Sequence, residues 1–346
     1  MPSIISRMPS NGNVKKALLI GIEYSSTLAL TNRRLELKGA HKDPMALRKL
    51  LEDKFGYEER NIRILMDDDG YEQPTRETIL HAMRDLVRDA QPGDHFVFSF
   101  SGHGGQVANE DGTEEDGFDE TLVPLDSQVN SETGNFENFI KDDDVRKILV
   151  DSLPNGARLV MIFDCCHSGT ASDLDNVFTD GLGSPASPLT SYSPRLPWKS
   201  HAPSIHADDV SLDNAFRPDS TAFSWMRPGH RRQRSSTTPP ESPGPYVTSW
   251  SACMDSQNTF GGKRGGFFIK AFTDALRRNP HQSHGELLQS IRTELAKRVA
   301  DHNMKHRKAQ RMKGLPYVSQ EDDAVSPRAQ LGSLRPISNL HAHFTL

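Results

Sequence analysis

Four short apolar runs separated by helical patterns constrain this chain more than any other feature. Residues 15 to 22 (KKALLIGI), 61 to 66 (NIRILM), 95 to 100 (HFVFSF) and 157 to 163 (ARLVMIF) are bounded by turn-forming residues, as buried strands should be. Between them, Asp43 with Pro44 opens a helix that ends near Gly56. Thr75 is placed to cap a second helix carrying Ile79, Leu80, Met83, Leu86 and Val87 on one stripe. Strands alternating with helices predict an α/β fold, a three-layer arrangement in which helices flank a mostly parallel, doubly wound sheet.

After residue 178 the character changes. Residues 178 to 245 hold 11 of the 22 prolines and 12 serines with no periodic apolar pattern, so this stretch reads as a disordered linker or functional loop. Order resumes with strand-like YVTSWSAC (246 to 253) and two helical patterns near 266 to 277 and 285 to 302. The expected organisation is a short tail (1–14), a large region (15–177), the linker (178–245) and a small region (246–346) completing the same domain. The formal charge of −5 argues against a nucleic-acid surface. Three cysteines, at 165, 166 and 253, form no even set or CxxC pair, which argues for a reducing compartment. The N-terminus has no apolar signal core and no run of 18 apolar residues occurs, so the expectation is a cytoplasmic protein, with the nucleus also open, and no membrane span.

Two strands run into clusters that carry chemistry. HFVFSF leads into Ser101-Gly102-His103-Gly104-Gly105, and ARLVMIF into Asp164-Cys165-Cys166-His167-Ser168-Gly169. Ligands bind beyond the carboxyl ends of parallel strands, so both clusters fall on one functional edge. An imidazole beside a thiol shares its proton and raises its reactivity, and glycine-flanked backbone N–H groups, those of Gly104 and Cys166, could face an oxyanion. Side chains alternate along a strand, so Asp164 and Cys166 share a face and Cys165 points the other way, into the core. Cys166 taken alone could equally be a buried core thiol. The dinucleotide fingerprint, the esterase elbow and a zinc site all fail on spacing.

SGHGGQ with DCCHSG, followed by SWSACMDSQNTF, resembles the type I metacaspases, close to fungal members. The resemblance spans roughly residues 15 to 175 and 246 to 346 and implies a caspase-like fold with Cys166 as nucleophile and His103 as its partner. It further implies cleavage of proteins and peptides after Arg or Lys, calcium activation of a zymogen, self-cleavage, a part in apoptosis, and usually a monomer. The cationic P1 side chain would be read by Asp164, Asp43 and Ser101; Asp43 has a second explanation as the N-cap of its own helix. Departures from the family pattern are Ala40, Lys42 and Glu23.

Residues 109 to 120 hold seven carboxylates and no basic residue. A solvated loop is the plain explanation for such a run, and no EF-hand fits. The resemblance instead implies Ca2+ bound by Asp119, Asp142, Asp143 and Asp173. Only about 14 residues precede the first strand, so recruitment through the Gln/Pro-rich prodomain of many fungal relatives is not expected. The linker is expected to be cut by the enzyme itself after Arg232 or Arg234, because it is accessible and rich in basic residues. Two other readings stand beside this one: a calcium-responsive scaffold or proteostasis factor of the same fold, and a legumain-like protease, which a missing secretory signal disfavours.

Overall fold

The computed structural model describes residues 13–25, 36–109, 118–129, 136–165, 174, 176–178, 244–253, 261–262, 265–312, 328–335, 337 and 342–346. Its centre is a seven-stranded sheet. The four apolar runs form β1 (Lys15–Gly21), β2 (Ile62–Met66), β3 (His95–Ser101) and, further along, β9 (Arg158–Asp164). Between β3 and β9 lie short strands β4 (Gly104–Ala108), β5 (Phe118–Leu122), β6 (Gln128–Val129), β7 (Phe136–Glu137) and β8 (Ile140–Lys141). β10 (Asn176–Phe178), β11 (Tyr246–Cys253), β12 (Gly261–Gly262), β13 (Gly265–Gly266) and β14 (Arg328–Ser333) complete the set. The central sheet runs β10-β14-β11-β9-β3-β1-β2. Pairings from β2 to β11 are parallel, while β14 runs antiparallel to both β11 and β10.

Alternation along the strands sorts side chains into two cores. Leu18, Ile20, Phe96, Phe98, Phe100, Leu159, Met161, Phe163 and Cys165 fall in one; Ala17, Leu19, Val97, Val160 and Ile162 fall in the other. The first is covered by α2 (Arg76–Val87), whose Ile79, Leu80, Met83, Leu86 and Val87 are buried as the stripe requires. Thr75 caps this helix by accepting from Thr78 N at 3.3 Å. A 12-residue helix is marginal alone in water, so this packing holds it: each buried Leu or Ile contributes about 1.5–3 kcal/mol. α3 (Asp142–Val145), continuing as a π-helical turn over Arg146–Val150, packs on the same side. The second core is covered by α1 (Lys42–Phe55), α4 (Phe267–Arg278) and α5 (His284–Met312). The result is three layers, helices on both faces of a mostly parallel sheet.

Three expectations need correction. α1 begins a residue before Asp43, with His41 as N-cap and no side-chain cap bond; Asp43 is therefore not the cap, because its carboxylate is engaged elsewhere. The last helix runs to Met312, ten residues past the expected end. Residues 303–312 lack an apolar stripe but are mostly strong helix formers such as Lys, Arg, Gln and Met, and propensity carries the helix on. Phe178, taken as the first linker residue, pairs with Leu331 in β10; of the linker only Phe178, Gly244 and Pro245 lie within the described residues, so the expected self-cleavage sites lie outside them. Among the described residues no helix is long and apolar enough to cross a membrane.

Candidate active site

The carboxyl ends of β3 and β9 are side by side, Ser101 opposite Asp164. Because residues two apart share a face, Ser99, Ser101 and Asp164 belong to the face covered by α1 and α4, while Phe100 and Phe163 turn to the other. Asp43, in the first turn of α1, reaches the same place: the structure brings Asp43, Asp164 and Ser101 together. All three are buried.

What satisfies these carboxylates comes from beyond the linker. Gly266 N donates to Asp43 Oδ1 and Oδ2 at 2.9 and 3.2 Å, and Ile269 N donates to Asp164 Oδ2 at 3.1 Å. The Phe268 N–H lies near enough to favour the Asp164 charge as well. Gly266 is the N-cap of α4 and has no side chain to cap it. The N–H groups of a first helical turn have no partner within the helix, and Asp164 caps them from β9 instead. Gly265 has φ +94°, and a Cβ on Gly266 would lie 2.0 Å from Asp164 Oδ2; the close approach requires glycine there.

Burial outweighs these hydrogen bonds in setting the charge. Asp164 is pushed up to about 6, desolvation being opposed by the Ile269 and Phe268 N–H groups. Asp43 is raised by burial first and by the Asp164 charge second, against the pull of Gly266 N–H and the Ser101 hydroxyl. Ser101 Oγ is near enough to act on Asp43 without making a hydrogen bond of good geometry. Two carboxyls this close titrate as a pair, with one proton disfavoured to leave.

His103 lies two residues past β3 and is buried. Its backbone N donates to Tyr24 Oη at 2.8 Å, its carbonyl accepts from Val123 N at 3.1 Å, and its ring sits 4.8 Å from the Tyr24 ring. Gly104 follows as the first residue of β4, opposite Leu122 on β5. Cys165 is buried in the core beside Phe163, as alternation requires. Cys166 and Asp173 lie outside the described residues.

The acidic run is not simply solvated. Asp119 and Asp142 are buried. Asn109 Nδ2 donates to one oxygen of Asp119, and Lys141 Nζ pairs with the other at 2.5 Å. Asp142 accepts from Asp143 N at 3.0 Å and from Glu120 N at 3.4 Å. Glu120 Oε2 is buried without a hydrogen-bond partner. Among the described residues, no group of three or more His, Cys, Asp or Glu is arranged to hold a metal. Sequence reasoning missed Tyr24, Glu120, Lys141 and Gly266. The GFDE run containing Glu120 and the GIEY run containing Tyr24 were visible, but nothing in them signals burial.

The pair makes stability depend on pH. Folding raises both carboxyl pKa values, so this contribution to stability is full below the ordinary carboxylate range, and the part due to Asp164 is lost as pH rises through about 6. Asp164→Asn keeps an oxygen to accept from α4 but cannot ionise. It should match the wild type at about pH 4 and exceed it at neutral pH by roughly 3 kcal/mol, the equivalent of about two pKa units. Denaturant melts across this range check it; an Asn variant less stable at neutral pH would contradict the raised pair.

A family profile described as "Metacaspase, peptidase C14 domain" matches residues 15–175. Among curated proteins, Metacaspase-1A of Aspergillus terreus is 35% identical over 302 residues, covering 82% of this chain and 67% of that protein. Metacaspase-1 of Ajellomyces capsulatus is 36% identical over 290 residues, covering 82% and 76%. Metacaspase-1A of Aspergillus fumigatus strain CBS 144.89 is 36% identical over 301 residues, and this chain spans 66% of its length. Among solved structures, Caspase-1 from Spodoptera frugiperda is 12% identical, covers 84% of each chain and has a TM-score of 0.41, too low to add to the fold read from the sheet. On the profile and these relatives, the chain belongs to the metacaspases, a family of cysteine peptidases.

Proposed function

We propose that this chain is a calcium-activated endopeptidase that cleaves after Arg or Lys. The observation that carries the reading is the pair of buried carboxylates, Asp43 and Asp164, at the carboxyl edge of the sheet beside the SGHG turn. A cation entering there meets two oxygen acceptors in a low-dielectric site, where an acidic side chain would be repelled. It would also favour the ionised pair and release the proton that burial retains.

In the chemical step the Cys166 thiol gives its proton to His103 as sulfur attacks the scissile carbonyl, and the backbone N–H groups of Gly104 and Cys166 face the developing oxyanion. His103 then protonates the leaving amine, and water releases the acyl group from sulfur. The same chemistry acting on the 178–245 linker would process the enzyme itself. A panel of P1 peptides tests the reading: Arg and Lys should beat Asp by orders of magnitude. Cys166→Ala should abolish turnover and Cys165→Ala keep most of it. A preference for P1 Asp, or loss through Cys165 instead, overturns it.

Calcium would be held by Asp119, Asp142, Asp143 and Asp173, an oxygen-only set that suits a hard cation. When bound it would supply positive charge that Asp119 otherwise takes from Lys141. Lys141 must therefore leave Asp119 before the ion can use that carboxylate, which together with the absence of EF-hand rigidity argues for binding near millimolar concentration. Lys141→Met should tighten calcium by about tenfold, the equivalent of about 1.4 kcal/mol. It should also melt earlier in chelator, because a buried carboxylate loses its partner. Thermal melts over a calcium titration read both; equal affinities would rule out the competition, and no calcium response in either protein would remove calcium from the proposal.

A further inference from the structure

We infer that Tyr24 is the positioning residue for His103, fixing the main chain that carries the imidazole. This rests on the proposed role of His103, and the observations come from a different part of the fold. Tyr24 follows β1, is fully buried, and has a φ of +55°. A bulky residue in the left-handed region is an outlier that surrounding structure must hold in place. What it gains is a position between two chain segments: its hydroxyl accepts from His103 N at 2.8 Å and donates to Val123 O at 2.6 Å. One phenol oxygen thus joins the turn after β3 to the residue after β5.

The arrangement closes on itself. Val123 N donates to His103 O, so His103 is bonded at both main-chain groups, each time to Val123 directly or through Tyr24. Gly102, immediately before, is pressed against the same oxygen: a Cβ there would lie 2.7 Å from Tyr24 Oη. The Tyr24 ring also contacts the imidazole, tilted 40° at 4.8 Å. Gly102 leaves the turn between β3 and β4 soft, and the phenol supplies the rigidity that a glycine there lacks. A general base must hold its ring within hydrogen-bond reach of the thiol, and small displacements of such a group are costly.

Tyr24→Phe keeps the ring and removes the hydroxyl. The test uses the full chain with calcium and a P1 Arg peptide, and normalises rates to active sites titrated with an irreversible peptidyl inhibitor. kcat per titrated site should fall roughly tenfold or more with KM nearly unchanged. Alkylation of Cys166 by iodoacetamide, followed by peptide mass spectrometry, should lose the reactivity at mildly acidic pH that a placed imidazole confers. In a His103→Ala background, Tyr24→Phe should change the alkylation rate no further. A lowered melting temperature with wild-type kcat per site and wild-type alkylation would make Tyr24 merely structural and overturn the inference. Full activity in His103→Ala itself would instead overturn the role of His103. If Tyr24→Phe does not fold, Gly102→Ala, which drives a methyl against the same oxygen, should give the same kinetic and alkylation pattern; wild-type behaviour there overturns the inference too.

Discussion

Carboxylates from the segment before the linker, held by backbone N–H groups from the segment after it, organise the functional edge of this molecule. Asp43 and Asp164 reach Gly266, Phe268 and Ile269 across more than a hundred residues of sequence. Hydrogen bonds to charged groups are worth roughly 1.5–3 kcal/mol each, and here they also cap a helix whose own N-cap is glycine. Burial opposes them by favouring the protonated acids. The two effects together leave carboxyls that are fixed in place, Asp43 raised well above its ordinary value and Asp164 pushed up to about 6, a condition typical of sites that bind or exchange charge.

A second unit lies across β3 from the first. The Tyr24 hydroxyl, both main-chain groups of His103 and both of Val123 form one hydrogen-bonded ring around a glycine-rich turn. The strands β4 and β5 extend from that ring toward Asp119 and Asp142, so the acidic cluster and the histidine turn share a small three-stranded sheet with β8. Lys141 on β8 pairs with Asp119 on β5, which ties the charge of the cluster to the order of that sheet.

Short apolar runs and a period-3.6 stripe made five strands of the central sheet and α2 legible, because their side chains fill two cores; β10 and β14, the antiparallel end of the sheet, carry no such run. The strands at 62–66, 95–101 and 158–164 depart from the sequence reading by a residue at most, and Thr75 caps as its position suggests. The small sheet was not legible: β4 reads GGQVA, and β5 begins within the end of an acidic run that composition assigns to solvent. Asp119 is buried there because Asn109 and Lys141, from other strands or their ends, satisfy it, a tertiary fact that local charge counting does not contain. For the same reason the helix cap stood as a second explanation for Asp43 until Gly266, 223 positions away, supplied its partner.

The central claim is that Asp43 and Asp164 form the seat of a basic side chain. The most direct measurement is a crystal structure of the protein alkylated at its nucleophile by a peptidyl-arginine chloromethyl ketone. The account predicts the adduct on Cys166 and the guanidinium within ion-pair distance of both carboxylates. An adduct on another residue, or an arginine turned to solvent while the pair stays closed on the α4 N-terminus, would contradict it.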